Sequence, residues 1–152
     1  MGKITAQERK RRQALYDSIV LDIYWNEGWD AISLGRVAKR ANIARSTLQS
    51  YYPNGLTDAL KGRVMPTLID CLDMSSREAL IESWNYNIRE NVQFSSIIKI
   101  LIENSLKPTP SVDNFAFALN KLVDAIEHKL GNGKQTVTYL LGSVVLLKLN
   151  ML

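Results

Sequence analysis

Residues Ser33–Tyr52 read SLGRVAKRANIARSTLQSYY. Val37, Ala38 and Ala41 fall at i, i+1 and i+4, the spacing of one helix face. Asn42 interrupts that face, and Asn tolerates the left-handed backbone that a sharp bend between helices requires. Ile43 can then fold back on the first helix, while Leu48 anchors a second. The second helix leaves Arg45, Ser46, Thr47, Gln49, Ser50 and Tyr51 outward. These are donors and acceptors sized for base edges and phosphates. Two short helices around such a bend predict a helix-turn-helix, with the second helix as its reading element.

The flanks fit that pattern. Ser33 is a good N-cap for a helix over Leu34–Ala41. Gly35 lies inside that helix at a cost of about 1 kcal/mol relative to Ala. The second helix, about Ala44–Tyr51, should stop before Pro53, because Pro disfavours helical backbone in the residue before it. Upstream, a helix running to about Glu27 carries two apolar rows, Leu15/Ile19/Ile23 and Tyr16/Val20/Tyr24, and is capped by Gly28. Trp29–Ile32 connects it to Ser33. Gly2–Arg12 is expected as a basic arm ahead of that helix, with Arg9, Lys10, Arg11 and Arg12 in one run. Cations at a helix start oppose the dipole, so phosphate contact is the natural offset; a solubilising arm is the plainer alternative. A fourth helix should begin near Leu56 or Thr57 and be kinked or split by Pro66.

Charge is distributed unevenly. The 152-residue chain carries a net +4. Residues 1–63 hold 11 Lys and Arg against 6 Asp and Glu, a net +5, while residues 64–152 hold 8 against 9, a net −1. A basic excess confined to the neighbourhood of a docking motif is the footprint expected for nucleic acid. A hydrophobic fraction of 46% with few strand-like alternations points to an all-α protein. One cysteine, Cys71, excludes an internal disulfide and suits a reducing compartment. Met1–Gln13 is polar and basic rather than signal-like, and the most apolar segment, Val137–Leu152, is shorter than the ~20 residues a membrane span needs. A cytoplasmic protein without membrane association is expected.

The remainder reads as further helices. Ser75-Ser76-Arg77-Glu78 has the Ser-x-x-Glu spacing of a capping box ahead of a helix over about Ser76–Asn91. Another follows over about Val92–Leu106, then a break at Lys107–Ser111. Phe115, Ala118, Leu119, Leu122, Val123, Ile126 and Leu130 mark an amphipathic helix stopped by Gly131-Asn132-Gly133. The last helix, about Gln135–Leu149, is apolar nearly all round and so should be covered on more than one side. A second subunit is the simplest cover, with Leu122, Ile126, Leu140, Val144 and Leu147 expected at the interface. The predicted organisation is residues 1–60 as a helix-turn-helix domain and 61–152 as a helical dimerisation or regulatory domain.

From about Arg9 to Leu60 the chain resembles the DNA-binding domain of the TetR family of transcriptional regulators. In that family a helix ending in Gly precedes one that opens on Thr or Ser and carries an Ile-Ala-x-x-Ala core. A bend leads to a Ser-x-x-Thr-Leu-Tyr recognition helix that closes on an aromatic, a Pro and a Lys. Gly28, Ser33, Val37-Ala38-Lys39-Arg40-Ala41, Ile43, Thr47-Leu48 and Tyr51-Tyr52-Pro53 occupy those places here. Asn42 replaces the usual turn Gly and Ala44 the usual Ser cap. Gln49 stands where Tyr is usual, and Leu56 where a phosphate-binding Lys is common, with Lys61 one turn on. The resemblance implies a C-terminal helical domain that dimerises through two helices per subunit and often encloses a ligand pocket.

The expected function is therefore sequence-specific binding of double-stranded DNA by a homodimer at a palindromic operator, as a transcriptional regulator and by expectation a repressor. The DNA contacts are expected from Ser33, Arg45, Ser46, Thr47, Gln49, Ser50, Tyr51 and Lys61. Arg45 suits guanine or phosphate, and Gln49 suits adenine. Tyr51 is expected at a phosphate and Tyr52 in the core. Lys39 and Arg40 fit either phosphates or a solvated face. A reading of another class is a protein-binding adaptor or antagonist with a vestigial helix-turn-helix. His128 and Cys71 lack the partners of a nucleophile pair or zinc site, so no enzyme activity, metal or cofactor is expected. Trp84, Tyr86 and Phe94 fit a core or dimer role better than an effector pocket; a small-molecule or protein effector stays open.

Overall fold

The first helix, α1 (Ala6–Glu27), begins earlier than its apolar rows suggest, because Thr5 caps it: the Thr5 hydroxyl accepts from the Glu8 amide at 3.0 Å. A computed structural model describes residues 3–106 and 112–152. Arg9–Arg12 therefore lie within α1 rather than in an arm ahead of it. Glu8 makes this tolerable by bonding Arg11 at 2.6 Å and Arg12 at 3.1 Å, neighbours one turn along. Tyr16, Val20, Ile23 and Tyr24 form the buried face of α1, whereas Leu15 is exposed. The helix ends at Gly28, whose φ of 94° is open to glycine.

Eight α-helices and no strand occur among the described residues, so the chain is all-α. They form two compact units, one running to Val64 and the other from Met65.

In the first unit a 3-10 turn at Trp29–Ala31 leads to α2 (Leu34–Ala41) and α3 (Arg45–Tyr51). Ser33 caps α2 by accepting from the Arg36 amide at 3.2 Å. Asn42 ends α2 in the left-handed region, at φ 56° and ψ 47°. The Ile43 amide reaches back to the Ala38 carbonyl at 3.1 Å and the Asn42 amide to the Lys39 carbonyl at 3.2 Å. This pairing satisfies the orphan carbonyls of α2 and turns the chain into α3. Val37, Ala38 and Leu48 are buried where α2 meets α3 and α1. A 3-10 helix, Leu56–Leu60, then packs on α1 and buries Leu56, Ala59 and Leu60. The fourth helix is split as its Pro suggested, but the break falls at Gly62 (φ 73°). Pro66 sits in the first turn of α4 (Val64–Asp70), where its missing N–H has no helical acceptor to lose.

The second unit continues with α5 (Arg77–Glu90), α6 (Val92–Ser105), α7 (Val112–Leu130) and α8 (Gly133–Lys148). The cap of α5 is Ser76, whose hydroxyl accepts from the Ala79 amide at 3.0 Å, one residue later than the Ser75–Glu78 box suggested. The expected break at Lys107–Ser111 lies outside the described residues. α5 packs on α6 and α8, and α7 on α6 and α8. Leu80, Trp84, Ile88, Phe94, Ile98, Leu122, Ile126 and Leu140 fill the core, with Trp84 and Phe94 edge-to-face at 5.3 Å.

The α7–α8 turn depends on Gly133. A Cβ there would lie 2.3 Å from the Val123 carbonyl oxygen and 3.1 Å from the Glu127 amide nitrogen, both backbone atoms of α7. The bare backbone lets the Gly133 amide donate to the Glu127 carboxylate at 2.5 Å. An anion from α7 thus satisfies an orphan amide at the positive end of α8.

Candidate nucleic-acid interface

α3 is anchored by two residues and exposes the others. Leu48 and Tyr51 are buried; Arg45, Ser46, Thr47, Gln49 and Ser50 face solvent. Its first turn lacks a side-chain cap, because the preceding residue is Ala44. Arg45 makes no ion pair or side-chain hydrogen bond among the described residues, and its Nε lies against the open side of Gly35 on α2, 4.0 Å from where a Cβ would stand. Ser50 donates to the Thr47 carbonyl at 2.6 Å and Ser33 is engaged in capping α2, so both hydroxyls have local partners.

Tyr51 is not at the surface. It is 7% exposed and its ring meets Tyr16 edge-on at 5.0 Å. The Arg9 guanidinium covers the ring at 4.2 Å from the centroid and donates to the Ser50 carbonyl at 3.1 Å. A cation at the carbonyl end of a helix meets both the dipole and the orphan acceptors there. Tyr51 thus packs on α1, where the sequence suggested a surface position. Tyr52 is buried as expected, and its hydroxyl donates to Asp17 at 2.7 Å. Burial, then the bond to Asp17, push that hydroxyl well above the usual phenol range.

The surrounding cations differ in how far they are committed. Arg36 pairs with Glu27, Arg40 with Asp22 at 2.8 Å, and Lys61 with Asp58 at 3.0 Å. Arg11 and Arg12 share Glu8, which their hydrogen bonds hold at about 2. Lys10, Lys39 and Arg45 are exposed and form no ion pair among the described residues. No acidic residue occurs between Asp30 and Asp58. This interval contains both α2 and α3. Its acid-free character is a sequence signal for an anionic partner that the motif spacing alone does not show.

The residues expected at a subunit interface fall elsewhere. Leu122, Ile126, Leu140 and Leu147 are buried in the core of the second unit, and Val144 is half-buried. The periodicity of α8 could not show which of its apolar faces α5 and α7 would cover. The face left open carries Tyr139, Gly142, Val145, Leu146 and Leu149, and nothing stands within 4 Å of a Cβ built on Gly142. Phe117 on α7 is also exposed, under Lys121.

No group of His, Cys, Asp and Glu among the described residues could hold a metal ion, and no helix among them is long and apolar enough to cross a membrane. Cys71 is half-buried and donates to the Thr67 carbonyl at 3.4 Å; burial and Asp70 push its thiol up, away from reactivity.

An all-α chain that pairs a basic N-terminal unit with a larger helical unit has the build of a two-part regulator. Residues 61–147 match the family described as the tetracycline repressor LuxT C-terminal domain. The match covers more than half of the chain, which belongs to this TetR-like family of transcriptional regulators. No curated protein matches the chain.

Proposed function

We propose that the protein is a homodimeric repressor that reads a palindromic operator in double-stranded DNA through α3. The observation that carries this reading is the acid-free interval around α2 and α3. Within it, an uncommitted Arg45 and the exposed Ser46, Thr47 and Gln49 sit on a helix anchored by Leu48 and Tyr51. In this reading α3 and the turn before it form the reading half of a helix-turn-helix, with Arg45 and Gln49 at base edges. Ser46, Thr47 and Lys39 then lie at phosphates. Ser33, Ser50 and Lys61 are secondary contacts, since each already has a partner in its own chain.

The open face of α8 supports the dimer. Tyr139, Gly142, Leu146 and Leu149 recur at intervals of three and four, the spacing of a helix–helix seam. Gly142 lets a partner backbone come close. Two-fold symmetry then sets half-sites about 34–36 Å apart. The uncapped start of α3 at Ala44 favours the adaptor reading instead, because a frayed helix reads bases poorly. Selection of bound sequences from random duplexes separates the two. An enriched palindrome supports the repressor; no enrichment at low salt supports the adaptor.

A further inference from the structure

Asn-Gly pairs occur twice in the chain, at Asn54-Gly55 and Asn132-Gly133. Glycine leaves the amide that follows the asparagine unshielded. That amide nitrogen, once it gives up its proton, can attack the asparagine Cγ. The new Cγ–N bond closes a five-membered succinimide, and ammonia leaves. Water then opens the ring at either carbonyl, giving aspartate or isoaspartate. The sum is one water in and one ammonia out, with no other reactant. Two local conditions govern the step: the peptide must be free to turn toward Cγ, and its nitrogen must be able to lose a proton.

The two pairs differ in both conditions. Asn132 sits in the left-handed region at φ 53° and ψ 42°, and its carbonyl accepts from the Thr136 amide at 2.9 Å. Gly133 is buried, and its amide donates to the Glu127 carboxylate at 2.5 Å. Both ends of that peptide are therefore fixed, and an anion against the N–H opposes its deprotonation. Asn54 lies in the turn between α3 and the 3-10 helix Leu56–Leu60. Asn54 and Gly55 are exposed, and Asn54 forms no hydrogen bond among the described residues. Nothing stands within 4 Å of a Cβ built on Gly55, so this peptide has room to turn. Its one constraint is the bond from the Gly55 amide to the neutral Tyr52 carbonyl at 3.0 Å, which water can replace in an exposed turn.

We propose that Asn54 is a site of spontaneous deamidation and that Asn132 is protected from it. Conversion places a carboxylate just past Tyr51, the last residue of α3, inside the interval from Asp30 to Asp58 that otherwise holds no acid. An isoaspartate also adds a methylene to the backbone of the turn that follows α3. The new charge opposes an anionic partner, so affinity for DNA declines as the protein ages. That consequence rests on the DNA-binding reading; the modification itself does not.

The full chain is aged for days at mildly alkaline pH, and its two Asn-Gly peptides are followed by mass spectrometry, with isoaspartate separated from aspartate by chromatography. Asn54 should convert about tenfold faster than Asn132 in the folded chain, and the two rates should converge in denaturant. An Asn54→Gln chain should keep its affinity for the selected duplex through the same ageing. Fresh Asn54→Asp should bind about three- to fivefold more weakly at low salt, as a unit charge near a phosphate requires, with an unchanged thermal midpoint. An Asn54 that stays intact, or an Asn132 that converts as fast in the folded chain, overturns the site. Aged wild type and Asn54→Asp that bind as tightly as fresh wild type overturn its consequence for DNA. A fresh wild-type chain that binds no duplex overturns the DNA reading instead, and the mass analysis still decides the site.

Discussion

The same substitution at two glycines of α8 should change stability in opposite directions. At Gly133 an added Cβ meets the backbone of α7, at 2.3 Å from the Val123 carbonyl oxygen. Neither helix backbone can give way locally, so relief requires α7 and α8 to separate. Overpacking of this kind costs about 1–3 kcal/mol, and loosening the amide bond to the Glu127 carboxylate adds about 1 kcal/mol or more. Against this, Ala gains at most about 1 kcal/mol over Gly in a helix. Gly133→Ala should therefore destabilise by about 1–3 kcal/mol, which lowers the unfolding midpoint by roughly 5–20 °C for a domain of this size. At Gly142 a Cβ meets nothing within 4 Å. Gly142→Ala should gain about 0.5–1 kcal/mol and raise the midpoint by a few degrees in dilute protein. Thermal unfolding followed by circular dichroism measures both. A Gly133→Ala chain as stable as wild type would refute the packing of the α7–α8 turn. A Gly142→Ala chain that also loses self-association at higher concentration would support the seam on α8.

Three further outcomes follow from the first unit. Ala44→Ser should supply the missing cap of α3 and stabilise the unit by about 1 kcal/mol, read from denaturant midpoints. Glu8 should titrate near 2 rather than the ordinary 4.5 in an NMR pH series, and Arg11→Ala should raise it. Because its folded value is the lower one, its contribution to stability is complete above about 4.5 and is lost as the pH falls toward 2. Lys10→Ala should weaken DNA binding evenly across sequences and reduce the salt slope by about one.

Much of the fold could be read from local signals. Ser33, Asn42 and Leu48 each act within a few residues, and the structure uses each as a cap, a left-handed turn and an anchor. The start of α1 was also readable, since Thr5-x-x-Glu8 has capping-box spacing, but the basic run next to it draws attention to charge. What could not be read depends on partners distant in sequence. Tyr51 is buried because Tyr16 and Arg9 meet it from α1, and no periodicity in a seven-residue helix shows that. Leu140 and Leu147 are interior because α8 turns that face to α5 and α7. Asp17 is a lone acid on an apolar face until Tyr52 and Arg63 arrive from 35 and 46 residues away.

The most direct measurement of whether α3 reads DNA is the binding isotherm of Arg45→Ala on the duplex selected by the wild-type protein. Arg45 is exposed, forms no ion pair among the described residues and buries nothing in the core, so its loss should leave the fold intact. The account predicts a loss of about 1–3 kcal/mol in specific affinity, with relaxed preference at one position in each half-site. An isotherm unchanged from wild type would contradict it.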